Sequence, residues 1–274
     1  MTSREIAVLL PVYRLDVVDY VRQAVGSILQ QTYPQLKLFV GVDGPVDEDL
    51  CSFLESLEDS RVQVSWYADN RGLACVLNDL LEVCFARGYE FVARMDADDV
   101  SMPDRLEKEL AYLLAHDEVD VVGGAIEEID KDGCSRHKTV VYPAVHDDCR
   151  AFFAYRNPHA HPSVLFRRRF FEKCGRLYRP EYRRNQDTML WFDGMMNGTV
   201  HANIPDVVLQ HRMTDSFFKY RRNGYHFACK QLKDRLMINR ELRYGFGATL
   251  FALAMFLLLA SPPWLKKIAY RLFR

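Results

Sequence analysis

Along the first half of the 274-residue chain, short continuous apolar runs alternate with stretches of helical spacing. A continuous β-branched and aliphatic run predicts a strand buried on both faces. Such runs occupy Glu5 to Tyr13, Leu36 to Val42, Glu90 to Arg94 and Val119 to Gly123, and Val62 to Trp66 alternates like a strand. Between them, helices are predicted from about Val17 to Gln31, Asp47 to Leu57, Leu73 to Phe85 and Pro103 to Ala115. Pro103 suits a first helical residue, and Asp104 and Glu107 favour the positive end of that helix. The β-α order predicts an α/β fold with a mostly parallel, doubly wound central sheet whose ligands sit beyond the carboxyl ends of the strands. Asp43, Asp69 and the turn Asp96 to Asp99 fall at such ends.

After Gly124 the alternation breaks up. Strands are expected at Ala125 to Ile129, Thr139 to Tyr142, Ser163 to Arg167 and Val207 to Gln210, with a helix from Asp187 to Met196 that stops at Asn197-Gly198. A long basic helix is expected from about Ser216 to Arg243, and then Tyr244 to Ala260 runs 17 residues without a charge. That length is marginal for a spanning helix and, with basic residues on both flanks, equally suits a segment lying in the membrane interface; a hydrophobic helix buried against the domain or in a dimer is the plainer alternative.

Charge sharpens this division. The formal net charge is -1, yet residues 219–274 carry 12 Lys and Arg against Asp234 and Glu241, leaving 24 basic and 35 acidic residues in the remainder. Two domains are expected: residues 1–218, and a basic, apolar tail at 219–274 whose partner is an anionic membrane surface rather than nucleic acid. The seven cysteines are odd in number and show no C-x-x-C spacing, which argues against a zinc cluster or disulfide framework and fits a reducing cytoplasm. The opening apolar run, Ile6 to Val12, is too short and wrongly flanked for a signal peptide. No G-x-G-x-x-G, P-loop or G-x-S-x-G pattern occurs, which removes the usual dinucleotide, P-loop and acyl-transfer fingerprints.

The candidate chemistry is carboxylate chemistry. Asp96-Ala97-Asp98-Asp99 crowds acids on one turn, costly unless a cation neutralises them, and hard oxygen ligands suit Mg²⁺ or Mn²⁺ on a diphosphate. A capped, solvated loop is the plainer reading of the same residues. Asp187, behind Arg183-Arg184-Asn185-Gln186, reads either as a first-turn helix carboxylate or as a general base. Asp43 is a turn residue or a nucleoside contact, and Arg71 of Asn70-Arg71-Gly72 is an exposed turn residue or a phosphate or base contact. His159 and His161 flank a strand as packing residues or weaker metal-ligand candidates.

Taken together, Leu9-Leu10-Pro11-Val12-Tyr13, Gln31-Thr32-Tyr33-Pro34, Val42-Asp43-Gly44, Asn70-Arg71-Gly72-Leu73, Asp96-Ala97-Asp98-Asp99 with Pro103-Asp104-Arg105-Leu106-Glu107, and Gln186-Asp187 stand in the order of the family 2 glycosyltransferases. Over roughly residues 4 to 223 the chain resembles the bacterial polysaccharide and O-antigen members, including at Asn203 to Arg212. The resemblance implies a GT-A fold, a nucleotide-diphosphate sugar donor and inversion at the anomeric carbon, and a UDP-sugar is the donor expected among these. By that likeness, the backbone at Pro11, Val12 and Tyr13, with Asp43 and Arg71, holds the nucleoside. Asp96 faces the ribose or the metal, Asp98 ligates Mg²⁺ or Mn²⁺, and Asp187 is the catalytic base. Arg221 and Arg222 resemble a basic pair that meets the diphosphate.

The sequence departs from the family pattern at two places: Gln186 stands where relatives carry Glu, and Val42-Asp43-Gly44-Pro45 lacks the usual second acid and Gly-Ser. The Gln-x-x-Arg-Trp signature of processive synthases is absent, which implies addition of a single sugar. The expected activity is glycosyl transfer to a lipid-linked or growing glycan at the cytoplasmic face of the inner membrane. The alternatives are a nucleotidyltransferase, which would need a Gly-rich basic loop where Pro11-Val12-Tyr13-Arg14-Leu15 stands, and a glycan- or membrane-binding scaffold without turnover.

Overall fold

The computed structural model describes residues 4–213 and 225–261. Two compact units emerge: residues 1–149 with 157–212, and residues 150–156 with 213–274. In the first, β1 (Ile6–Tyr13), β2 (Leu36–Asp43), β3 (Val62–Tyr67) and β4 (Phe91–Arg94) pair in parallel in the order β3-β2-β1-β4. Helices α1 (Val18–Leu29), α2 (Glu48–Glu55) and α3 (Leu73–Ala86) supply the crossovers. Both faces of β1 are buried, which is why its sequence is continuously apolar. Ile6, Val8, Leu10 and Val12 join the core containing Val21, Val25 and Ile28 of α1. On β2, a Cβ at Gly41 would lie 2.5 Å from Val76 of α3, so glycine permits the close helix-on-sheet approach.

Beyond β4 the sheet becomes mixed. The apolar stretch at Val119 to Gly123 belongs to one strand with Ala125 to Ile129, β6 (Val121–Ile129), reached through the two-residue β5 (Val100–Ser101) and helix α4 (Arg105–Ala115). β7 (Ser135–Val140) pairs antiparallel with β6, and α5 (His146–Phe153) follows. The three-residue β8 (Leu165–Arg167) inserts antiparallel between β4 and β6. It is followed by α6 (Arg168–Cys174), α7 (Gln186–Met196) and β9 (His201–Arg212), which pairs parallel with β6 and antiparallel with β5. The final strand thus starts six residues before the predicted Val207, its register shifting opposite Gly124 and Ala125.

Pro103 is not the first residue of α4, which begins at Arg105. Its carbonyl instead accepts from Thr32 N (2.8 Å), and Gln31 Oε1 accepts from Leu106 N (3.0 Å) at the helix start. Gln31 Nε2 also donates to Met102 O (2.7 Å). The Gln31-Thr32 turn therefore acts as a cap supplied from elsewhere in the chain.

In the second unit, α8 (Tyr225–Glu241) and α9 (Phe246–Ala260) pack together, burying Ile238, Leu242, Ala248 and Ala252. Arg235 donates to Phe153 O (2.6 Å), and Tyr244 Oη donates to Arg150 O (2.6 Å). The other side of α9 exposes Phe246, Leu250, Leu253 and Leu257. Among the described residues, no helix is long and apolar enough to cross a membrane. The predicted start of the basic helix at Ser216 and the basic residues beyond Ser261 lie outside the described residues.

Candidate active site

The carboxyl end of β4 runs directly into the acidic turn, and buried partners fix that turn. Arg105 is fully buried and pairs with the equally buried Glu109 (3.2 Å). It donates to Arg94 O (2.9 Å) and Val164 O (3.3 Å), fastening the backbone just before the acids. Burial pushes the Glu109 carboxyl up to about 7, against the pull of Arg105. Met95 N donates to Leu9 O (3.0 Å), locking the turn to β1.

Carboxylate oxygens of Asp96, Asp98 and Asp99 all lie within 4.8 Å of one another. They are not equivalent. Asp99 is completely buried and accepts from Arg212 N (2.9 Å), with His211 Nδ1 at 3.1 and 3.2 Å from its two oxygens. Arg212 Nε also donates to Asp98 O (2.9 Å), so β9 as well as α4 holds the turn. Burial disfavours a charge on His211, but Asp99, with Asp98 and Asp96 behind it, outweighs that and raises its pKa to about 9. Asp96 and Asp98 stay partly accessible. Arg94, 2% exposed, makes an ion contact with Asp96 through Nη1.

Asp187 lies in the first turn of α7, entered through Asn185 in the left-handed conformation (φ 60°). Asn157 Nδ2 donates to its Oδ2 (2.8 Å), while Asn157 Oδ1 accepts from Thr188 Oγ1 (3.0 Å). Burial raises the Asp187 pKa, opposed by the Thr188 N–H, the Arg94 charge, its own N–H and Asn157. A carboxylate of raised proton affinity at a helix start fits a general base. Its neighbour Gln186 buries Oε1 without a hydrogen-bond partner among the described residues.

At the neighbouring strand ends, Tyr13 and Asp43 are register partners on β1 and β2. Asp43 is buried and accepts from Arg71 N (2.7 Å), Gly72 N (2.9 Å) and Asn70 Nδ2 (3.0 Å). Gly44 and Gly72 make this loop possible: both have positive φ (84° and 93°), and a Cβ on Gly44 would meet Asn70 N at 2.7 Å. Arg71 lies over the Tyr67 ring at 4.6 Å and pairs with Asp79. Arg183, just ahead of α7, reaches Asn70 Oδ1 and O at 3.4 Å, linking this loop to the approach to Asp187. Pro11 and Tyr13 are half-buried, whereas Val12 points into the core and offers the site only its backbone.

Asp96 contacts Arg94 and has Asp98 beside it, the charge of Arg94 also reaches Asp187, and Tyr13, Asp43 and Arg71 lie at the adjoining strand ends. Arg221 and Arg222 lie outside the described residues. His159 and His161 are buried packing residues: His159 bonds Asn203 (2.8 Å) and His201 (3.0 Å), and His161 bonds Tyr178 Oη (2.7 Å). Sequence reasoning missed Arg94 and Asn157, although Arg94 borders the acidic motif directly.

The family-wide sequence pattern of glycosyl transferase family 2 matches residues 7–176. The chain is 32% identical over 228 residues to the amylovoran biosynthesis glycosyltransferase AmsE of Erwinia amylovora, covering 83% of each chain. It is 25% identical over 228 residues to an Escherichia coli UDP-Gal:alpha-D-GlcNAc-diphosphoundecaprenol beta-1,3-galactosyltransferase, covering 83% of this chain and 80% of that one. The crystal structure of S. aureus TarS 1-349 in complex with UDP-GlcNAc superposes with a TM-score of 0.61 at 15% identity, over 94% of this chain and 82% of that one. The chain spans 43% of the longer TarS chain. The TarS likeness shows the GT-A fold, and the mixed sheet built on a parallel β1 to β4 half agrees with it. By sequence pattern and by relatives, the chain belongs to glycosyl transferase family 2 and is an enzyme that transfers glycosyl groups.

Proposed function

We propose that the enzyme is an inverting transferase that moves one sugar from a UDP-sugar to a hydroxyl of a lipid-linked or growing glycan in cell-surface polysaccharide synthesis. The observation that carries this reading is the pairing of a partly accessible acidic turn with a half-buried carboxylate of raised proton affinity, Asp187, both reached by the charge of Arg94. Asp187 takes the proton of the acceptor hydroxyl. The oxygen forms its bond to the anomeric carbon as the bond to the diphosphate breaks, and the diphosphate leaves with the electron pair.

The donor set fits a hard divalent cation: Asp96 and Asp98 supply accessible carboxylate oxygens, while Asp99 is committed to Arg212 and His211. Bound there, Mg²⁺ or Mn²⁺ would offset charge on the leaving diphosphate. The backbone from Pro11 to Tyr13, with Asp43 and Arg71, holds the nucleoside in this reading, Asp43 acting by fixing the loop that carries Arg71. Arg221 and Arg222 belong to the same reading as diphosphate contacts. TarS, whose structure is known with UDP-GlcNAc, supports the donor class, and the diphosphoundecaprenol galactosyltransferase supports the acceptor class.

Attachment to the cytoplasmic face of the inner membrane through residues 219–274 completes the proposal. Helix α9 has 15 residues. At 1.5 Å per residue it is about 22 Å long, short of the roughly 30 Å hydrocarbon core, so its exposed Phe246, Leu250, Leu253 and Leu257 suit the interface.

Calorimetric titration with UDP, GDP and dTDP, with and without Mn²⁺, tests the site. The proposal expects Mn²⁺-dependent UDP binding that Asp98→Ala abolishes. Binding that ignores both the ion and the substitution would overturn it.

A further inference from the structure

Arg94 is a cation in an unusual position. It ends β4 with its side chain 2% exposed, and its backbone is fixed on both sides: its N–H donates to Val164 O (3.0 Å) and its carbonyl accepts from Arg105. Nη1 makes the ion contact with Asp96. Neither Nε nor Nη1 forms a hydrogen bond of good geometry with any described residue. A buried guanidinium left short of hydrogen bonds is costly, so charge must be what holds it there.

The groups around it are an uneven set. Asp96 lies on its own turn, and Asp187 on α7 feels its charge. Tyr178 and His161 also face it, and burial keeps both neutral: the phenol is raised well above its ordinary range and the imidazole is held well below its own. Asp43 and Arg71, at the other strand ends, are occupied with one another's loop and with Asp79. Arg94 is thus balanced by Asp96, which it contacts, and its charge also reaches Asp187.

From this arrangement we infer that Arg94 is a positioning residue of the site, the resident counter-charge with which a divalent cation must compete for Asp96. The inference rests on the glycosyl-transfer reading of Asp96, Asp98 and Asp187. Two consequences separate it from a purely structural role. A divalent cation arriving at Asp96 must compete with the guanidinium, so neutralising Arg94 tightens cation binding. The same change removes a charge that favours Asp187 carboxylate, so the acid limb of the kcat profile moves up.

The test uses the full chain with Arg94→Gln and Arg94→Lys. Mn²⁺ is titrated by electron paramagnetic resonance, alone and with UDP, and kcat is measured against pH. Arg94→Gln is expected to bind Mn²⁺ about tenfold more tightly and to raise the acid limb by about one pH unit, while Arg94→Lys stays near wild type in both. Folded Arg94→Gln with unchanged or weaker Mn²⁺ affinity overturns the inference and leaves the transferase reading intact. If Arg94→Gln does not fold, Arg94→Lys decides, and a change in its Mn²⁺ affinity beyond about threefold overturns the inference. Wild-type protein that binds no Mn²⁺ under either condition overturns the cation reading beneath it as well.

Discussion

Asn157 donates to Asp187 Oδ2 at 2.8 Å, and its own amide oxygen accepts from Thr188 at 3.0 Å. One side chain thereby orients the proposed base and secures the first turn of its helix. Asn157→Ala removes a hydrogen bond that favours the charged carboxyl. Because burial already raises the Asp187 pKa, activity grows as pH rises through that limb, and the variant's limb lies higher. We expect kcat at neutral pH to fall about tenfold with the donor KM unchanged. A pH profile identical to wild type would show that Asn157 does not act through Asp187.

Asp43 and Gly44 form a second test because the Arg71 loop hangs on them. Gly44→Ala places a Cβ 2.7 Å from Asn70 N at a φ of 84°, so the loop must shift. The strain costs about 1–2 kcal/mol, and the donor KM should rise more than kcat falls. Equal donor affinity in folded variant and wild type would remove the loop from the nucleotide site.

How much of this was legible depended on length and continuity. β1 and β2 were readable because each is a long continuous apolar run, and the turn after β4 because a short apolar strand runs into clustered acids. β5, two residues long, carries no measurable period and was not legible, whereas the strand expected at Ser163 to Arg167 is present as the shorter β8, whose antiparallel pairing with β4 makes the sheet mixed. The start of β9 was hidden because Pro205 and Asp206 interrupt its pattern. Within the site, Asp96, Asp98 and Asp187 announce themselves by clustering or by helix position. Asn157 lies 30 residues before its partner in a loop, and a lone arginine at a strand end reads as a solvent contact until its burial is seen.

The buried imidazoles make stability depend on acid. His159 is held down to about 4, and His201 well below its ordinary value, chiefly by burial. Below about pH 6.5 the unfolded chain takes up protons that these folded imidazoles refuse, so their contribution is complete above that value and declines toward pH 4. His159 alone accounts for about 2 kcal/mol of loss by pH 5. Glu109, held up to about 7, acts in the opposite sense between about pH 4.5 and 7. The informative quantity is therefore the difference between wild type and His159→Gln in urea melts at pH 7 and pH 5. The variant should lose less stability on acidification, and parallel losses would contradict the account.

The exposed stripe of α9 gives a membrane prediction. Replacing Leu250, Leu253 and Leu257 together by Glu should reduce sedimentation with anionic phospholipid vesicles at least tenfold while leaving UDP binding intact. Undiminished sedimentation would place the membrane contact elsewhere.

Asp187→Asn addresses the central claim most directly. The account predicts that transfer from a UDP-sugar falls about 10²- to 10⁴-fold while Mn²⁺-dependent UDP affinity stays within about threefold of wild type. A variant that keeps its transfer rate within about tenfold of wild type would contradict the assignment of Asp187 as the base.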